Sequence, residues 1–261
     1  TLVMAVLTLV TALRMTEARN PEAAATDGAA RQDHPVAAAF RLTLTAGGWI
    51  LKTPWALAII LMGLLFDGVI RMALTLSSQY YRIILIPEAL FGIIGALVAT
   101  LGMIVPRLAR HLSESRRPAF NLALTSILTL AGSSGMALCW PWFGLLPAII
   151  LISAIYLNGF FVSHYLNTIT ERSQRATVLS FKGLSYNLSY GLLGILYSLL
   201  VAGLRGRLGR TDLTGSALED AAFTASLSAF PWTFVVGWLV LAGFVFWHLG
   251  RRGARQEELR Q

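Results

Sequence analysis

Seven stretches of this chain are apolar over lengths that water does not tolerate: residues 1–13, 54–76, 83–105, 119–139, 143–166, 178–203 and 229–249. A helix needs about 20 apolar residues to cross ~30 Å of hydrocarbon at 1.5 Å per residue. The last six runs meet that length, and no soluble domain of 261 residues could hide them all. The side-chain balance agrees, since 56% of residues are hydrophobic and 13% charged, where soluble domains carry about 25% charged. The expected fold class is an all-α membrane protein with a six-transmembrane-helix bundle over residues 54–249.

The first run is different. Thirteen residues cover only about 20 Å as a helix, and the chain starts at Thr1 already inside the run. It reads as the end of a truncated transmembrane helix. A secretory signal would need a basic region ahead of the apolar one, whereas Arg14 and Arg19 follow it. Residues 14–53 then form a linker, Ala-rich and broken by Pro21, Gly28 and Pro35, in which Val36 to Lys52 has the pattern of a short interfacial helix weakened by Gly47-Gly48. Residues 250–261 form a basic tail.

Lys and Arg distribute unevenly over alternate loops. Arg14, Arg19, Arg31, Arg41, Lys52, Arg107, Arg110, Arg116, Arg117, Arg172, Arg175, Lys182, Arg251, Arg252, Arg255 and Arg260 fall on one side. Arg82, Arg205, Arg207 and Arg210 fall on the other, and Arg71 lies within a span. The positive-inside rule makes the richer side cytoplasmic, which places the linker and the C-terminus in the cytoplasm, in a bacterial inner membrane. The net charge of +8 thus reports topology and calls for no nucleic acid. On the outer side, Ser216-x-x-Glu219 has the spacing of a capping box, with a bend expected at Pro231.

The single cysteine, Cys139, excludes a disulfide within the chain, and His34, His111, His164 and His248 include no pair at metal-ligand spacing. No cofactor motif, metal site or catalytic constellation is expected, and an enzyme is disfavoured because no histidine shares a membrane depth with an intramembrane acid.

The layout of a short helix, a long cytoplasmic linker, six spans and a basic tail resembles the C-terminal half of the major facilitator superfamily, with the end of the sixth helix ahead of it. Two stretches carry the resemblance more locally. GMIVPRLARHLSESRRP resembles the second copy of that family's loop motif, which runs glycine, an acid four residues on followed by arginine, then glycine and basic residues. Gly102, Arg107 and Arg110 match, while Pro106 stands at the acid and Ala109 at the second glycine. ERSQRATVLSFKGLSYNLSYG resembles the basic approach to helix eleven. The resemblance implies a cytoplasmic gating loop at Gly102, Arg107 and Arg110, alternating access by rocking of two bundles, and a partner in the N-terminal six-helix half of the same transporter. It implies a small-molecule substrate whose identity, like the coupling ion, it leaves open.

Charged side chains at membrane depth are costly and become candidate sites by default. Asp67 and Arg71 lie four apart in LLFDGVIRM and so share a helical face, and Glu88 in IPEALFG belongs to the next span. A turn near 77–82 puts Arg71 and Glu88 at matching depth, roughly 8 Å in, so an Asp67, Arg71, Glu88 cluster is expected. It would either bind substrate or a coupling proton, or tie two helices together through Arg71. Ser185, Asn187 and Ser189, with Gly183, Gly191 and Gly194, form a polar strip on the sixth run that serves either close helix packing or the pathway. Asn158 has the same two readings. Tyr80, Tyr81 and Arg82 read as an aromatic belt with a basic anchor, Tyr186, Tyr190 and Tyr197 as packing residues, and Lys182 as a side chain snorkelling to the cytoplasmic surface. The function these features favour is secondary active transport of a small solute. The competing reading is a non-transporting membrane scaffold or sensor of the same fold.

Overall fold

The computed structural model describes Thr11, residues 35–210 and residues 213–258, so all of the first apolar run except Thr11 lies outside the described residues, as do most of the linker and the end of the tail. The chain divides into two compact units, Thr1–Leu44 and Thr45–Gln261. Of the first, the described residues are Thr11 and the opening turns of helix α1 (Pro35–Lys52). The second holds the rest of α1 and eight further helices: α2 (Pro54–Thr75), α3 (Ser77–Ile83), α4 (Phe91–Ser115), α5 (Pro118–Ala137), α6 (Leu145–Ile169), α7 (Arg175–Leu208), α8 (Gly215–Leu227) and α9 (Ala229–Glu258). No strand occurs among the described residues.

Six helical stretches are long and apolar enough to cross a membrane, at 54–75, 88–115, 118–137, 145–169, 172–208 and 215–245. They coincide with the six full-length apolar runs, and the chain is a multi-pass membrane-type helical bundle. Proline sets two of the starts. Pro54 and Pro118 occupy the first turns of α2 and α5, where the missing N–H costs nothing.

Where the helices end differs from the sequence reading in several places. GMIVPRLARHLSESRRP is not a loop: α4 continues through Pro106 to Ser115, and the reversal is confined to the extended residues Arg116 and Arg117 ahead of Pro118. Val105 and Ala109, one turn apart, pack with Leu157 and Phe161 of α6, so the helix face that straddles Pro106 keeps its burial while the proline removes one backbone bond. The capping box does not form either. Thr214 occupies the N-cap of α8 without a side-chain bond, and Glu219 pairs instead with Arg205 of α7. The break between α8 and α9 falls at Ser228, three residues before Pro231.

Helix α2 is the axis of the bundle. It packs on α5, α6, α7 and α9, and 56% of its spanning window is buried against none of α7's. Within a bilayer, helices associate through close van der Waals fit and interhelical hydrogen bonds, and both are visible here. Gly63 of α2 is buried where a Cβ would collide with the Tyr186 hydroxyl of α7 and approach Val162 of α6 to 2.8 Å. Phe66 of α2 packs against Phe234 of α9 with centroids 5.3 Å apart and planes tilted by 50°, in a core shared with Ile70, Leu151, Leu227 and Phe230. In α5 the buried hydroxyls of Thr125, Thr129 and Ser133 each donate to the carbonyl four residues back, so no buried hydroxyl on this face is left unpaired.

At the ends opposite the basic loops, two reversals are tied together. The hydroxyl of Tyr80 donates to the Gly144 carbonyl at 2.9 Å, and the Trp142 amide donates to the Ile84 carbonyl at 2.8 Å. Leu85, Cys139 and Trp142 take positive φ in these turns, a conformation that non-glycine residues hold only where surrounding contacts impose it. Tyr80 and Tyr81 are buried, so they are not the aromatic belt expected of them. Trp140, Trp142 and Phe143 are the exposed aromatic side chains at this end. At the other end, Ala46 and Ile50 of α1 pack with Ile60, Val162, Leu166 and Val178, so the compact unit includes residues assigned to the linker by sequence.

Candidate functional site

The polar groups at membrane depth converge where α2 faces α7. Asp67 and Arg71 project from one face of α2, as their spacing requires, and the Arg71 guanidinium donates to Asp67 Oδ1 at 2.7 Å. A second guanidinium nitrogen donates to Asn187 Oδ1 of α7 at 3.1 Å, and the planar group lies over the Tyr190 ring, 5.5 Å from its centroid. One turn further, Thr75 Oγ1 and the Tyr190 hydroxyl are 2.9 Å apart. Arginine satisfies all these partners at once because its fork of five N–H donors is planar and always charged.

Burial within the cluster is uneven. The side chain of Asp67 is 8% exposed and that of Arg71 33%, so the acid is enclosed while the base still has an open side. Asp67 Oδ2 accepts no hydrogen bond, and the buried hydroxyl of Tyr186, held against Gly63, forms none of good geometry although Asn158 lies beside it. Of the three buried polar side-chain atoms without a hydrogen-bond partner among the described residues, Asn121 Oδ1 lies on α5 and these two belong to this cluster; such exceptions mark either strain or a site.

Lys182 completes the group from the basic end of α7. Its ammonium donates to Ser163 Oγ of α6 at 2.8 Å, lies 5.4 Å from the Tyr186 ring centroid, and is within electrostatic reach of Asp67. It is therefore folded against the bundle and does not snorkel outward. Lys182, Tyr186 and Tyr190 recur every four residues along one face of α7. That spacing was present in the sequence and is the signal by which these residues could have been found.

Glu88 does not join Asp67 and Arg71. It opens the 3-10 turn Glu88–Leu90 and pairs with Arg82 at 2.9 Å, both side chains being well exposed. The expectation assumed a single turn between spans. The chain instead spends residues 77–83 on α3, which moves Glu88 to the rim and Arg82 beside it. Asn158 ties α6 to α2, its amide donating to the Gly63 carbonyl at 3.2 Å. Ser189 faces Gly68 of α2, and neither Ser185 nor Ser189 makes a side-chain hydrogen bond among the described residues.

Gly102, Arg107 and Arg110 lie along α4 away from this cluster. Gly102 faces Tyr156 of α6, Arg107 is exposed, and Arg110 pairs with Glu114 one turn on. A separate cavity of about 220 Å³ between α2, α7 and the α8–α9 joint is lined by Gly68, Met72, Leu193, Tyr197 and Phe230. Of its polar lining residues Tyr197, Ser226 and Thr233, the first two bond each other.

Outside these contacts α7 is bare, with Leu184, Leu188, Leu192, Ile195 and Leu199 exposed. Comparison with family models, with curated proteins and with solved structures finds no match to this chain.

Proposed function

We propose that this chain is one six-helix bundle of a secondary active transporter of the major facilitator type, and that Asp67, Arg71 and Asn187 line its pathway. The observation that carries the reading is Arg71, which bridges its own helix to α7 at membrane depth and keeps a third of its side chain exposed. A purely structural tie gains most from being closed, whereas charged groups that face open space inside a bundle mark solute or ion routes. Exposed Asn187 and the unburied face of α7 supply a surface for a second bundle, the N-terminal half in this reading. Gly102, Arg107 and Arg110 act at its cytoplasmic edge. The linker and tail are cytoplasmic in a bacterial inner membrane, and the substrate is a small solute. Fold-level analogy enters only through layout.

The test is site-directed labelling. With Cys139 replaced by serine, single cysteines at Gly183, Gly191 and Gly194 are reacted from each side of the membrane in the complete transporter. Transport predicts that accessibility moves from one side to the other when solute is added, with saturable flux into liposomes. Accessibility that never changes, with no flux, assigns the fold to a scaffold.

A further inference from the structure

We propose that the α2–α7 cluster is an anion site whose ligand is a small organic monocarboxylate. The inference rests on the transport reading above and narrows it to a substrate class.

Charge arithmetic is the starting point. Arg71 and Lys182 bring two positive charges to the cluster, and Asp67 brings one negative charge. Asp67 is committed to Arg71 through Oδ1. Lys182 has a hydroxyl and an aromatic face for partners and makes no ion pair among the described residues. One positive charge is therefore uncompensated inside a membrane-spanning bundle, where it costs several kcal/mol unless a counter-charge is supplied. A ligand with a single negative charge neutralises the site. A dianion would replace an excess of one sign by an excess of the other.

The free donors agree with that count. Of the three ammonium protons of Lys182, one is spent on Ser163, and Arg71 uses two nitrogens of its fork on Asp67 and Asn187. The remaining N–H groups suit a carboxylate, which accepts several charge-assisted bonds at once. The site also contains an acceptor without a donor, Asp67 Oδ2, and an unbonded hydroxyl, Tyr186, on residues 6% and 5% exposed. An acid carrying a hydroxyl near its carboxylate would serve both, that hydroxyl donating to Asp67 Oδ2 and accepting from Tyr186, while its charge neutralises Lys182. An anionic lipid headgroup shares the charge but brings two acyl chains, and the commitment here is to the free acid.

The experiment is ligand-dependent thermal unfolding of the purified chain in phosphatidylcholine nanodiscs, with lactate, propionate, lactamide and ethanolamine as probes. Lactate should raise the midpoint saturably, propionate less so, and the neutral and cationic probes not at all. Lys182→Gln should weaken lactate at least about tenfold, as expected when a charge-assisted bond is lost. Lys182→Arg should stay within about threefold, and Glu114→Gln should match the parent. If Lys182→Gln fails to fold, the contrast between lactate and lactamide on the parent chain still decides.

A midpoint raised by phosphatidylglycerol alone, with lactate then without effect, overturns the free acid in favour of lipid. A shift by lactamide or ethanolamine that Asn187→Ala abolishes overturns the anion class and leaves the transport site standing. No shift by any probe overturns the anion site, and joined to an absence of flux in the complete transporter it overturns the transport reading too.

Discussion

Arg71→Gln should destabilise this bundle far more than Glu88→Gln, and the difference follows from where each charge sits. The substitution removes three contacts at once: the ion pair to a nearly enclosed Asp67, the bond to Asn187 and the stacking on Tyr190. Breaking one partner of a buried pair costs about 3–5 kcal/mol, and a cation over an aromatic ring adds about 0.5–1 kcal/mol. Two effects reduce the sum, the partial exposure of Arg71 and the ability of a stranded carboxyl group to neutralise itself by protonation. A loss of about 3 kcal/mol is expected. Glu88 belongs to an exposed rim pair with Arg82, worth under about 1 kcal/mol.

The decisive form is a double-mutant cycle with Asp67→Asn, measured by reversible unfolding in mixed micelles. Because the double variant leaves neither charge stranded, it should be less destabilised than the sum of the singles, with a coupling of about 2 kcal/mol. Singles that add to within about 0.5 kcal/mol, or a Glu88→Gln loss equal to that of Arg71→Gln, would refute the pairing and the placement of Glu88 outside it.

Three further outcomes are expected. Gly63→Ala should cost about 1–3 kcal/mol by overpacking, and Tyr186→Phe should recover part of that loss in the same unfolding assay, because the nearest colliding atom is the hydroxyl while Val162 Cγ2 at 2.8 Å still crowds the added methyl. Tyr80→Phe should cost about 1 kcal/mol by removing the bond to the Gly144 carbonyl, and should speed proteolysis at the 138–144 turn that this bond ties down. Burial pushes the Cys139 thiol up, so its alkylation by maleimide should be slow at neutral pH and rise about tenfold per pH unit through the alkaline range; a rate that levels off near neutrality would contradict this.

Some of this protein is determined by sequence alone. Six runs of bilayer length specify six spanning helices, because a backbone in hydrocarbon has no other way to satisfy its own N–H and C=O groups within one segment. The four-residue interval between Asp67 and Arg71 puts them on one face wherever that helix lies, and the structure has them in contact. Such facts are local, set by helical rise and period.

What only the tertiary structure decided depends on which helices touch and on where each one stops. Helical rise counted from a simple turn puts Glu88 level with Arg71, and the seven-residue helix at 77–83 breaks that count. Tyr80 reads as an interfacial aromatic until α6 arrives with a carbonyl to accept its hydroxyl proton. The apolar run ends at residue 105, yet the helix continues through Pro106, because the burial of Val105 and Ala109 against α6 outweighs one lost backbone bond. Lys182 belongs to the basic loops by position and to the α2–α7 cluster by contact, because Ser163 and Tyr186 hold its ammonium inward. A long side chain can reach either way from one backbone position, and its direction is set by partners that lie on other helices.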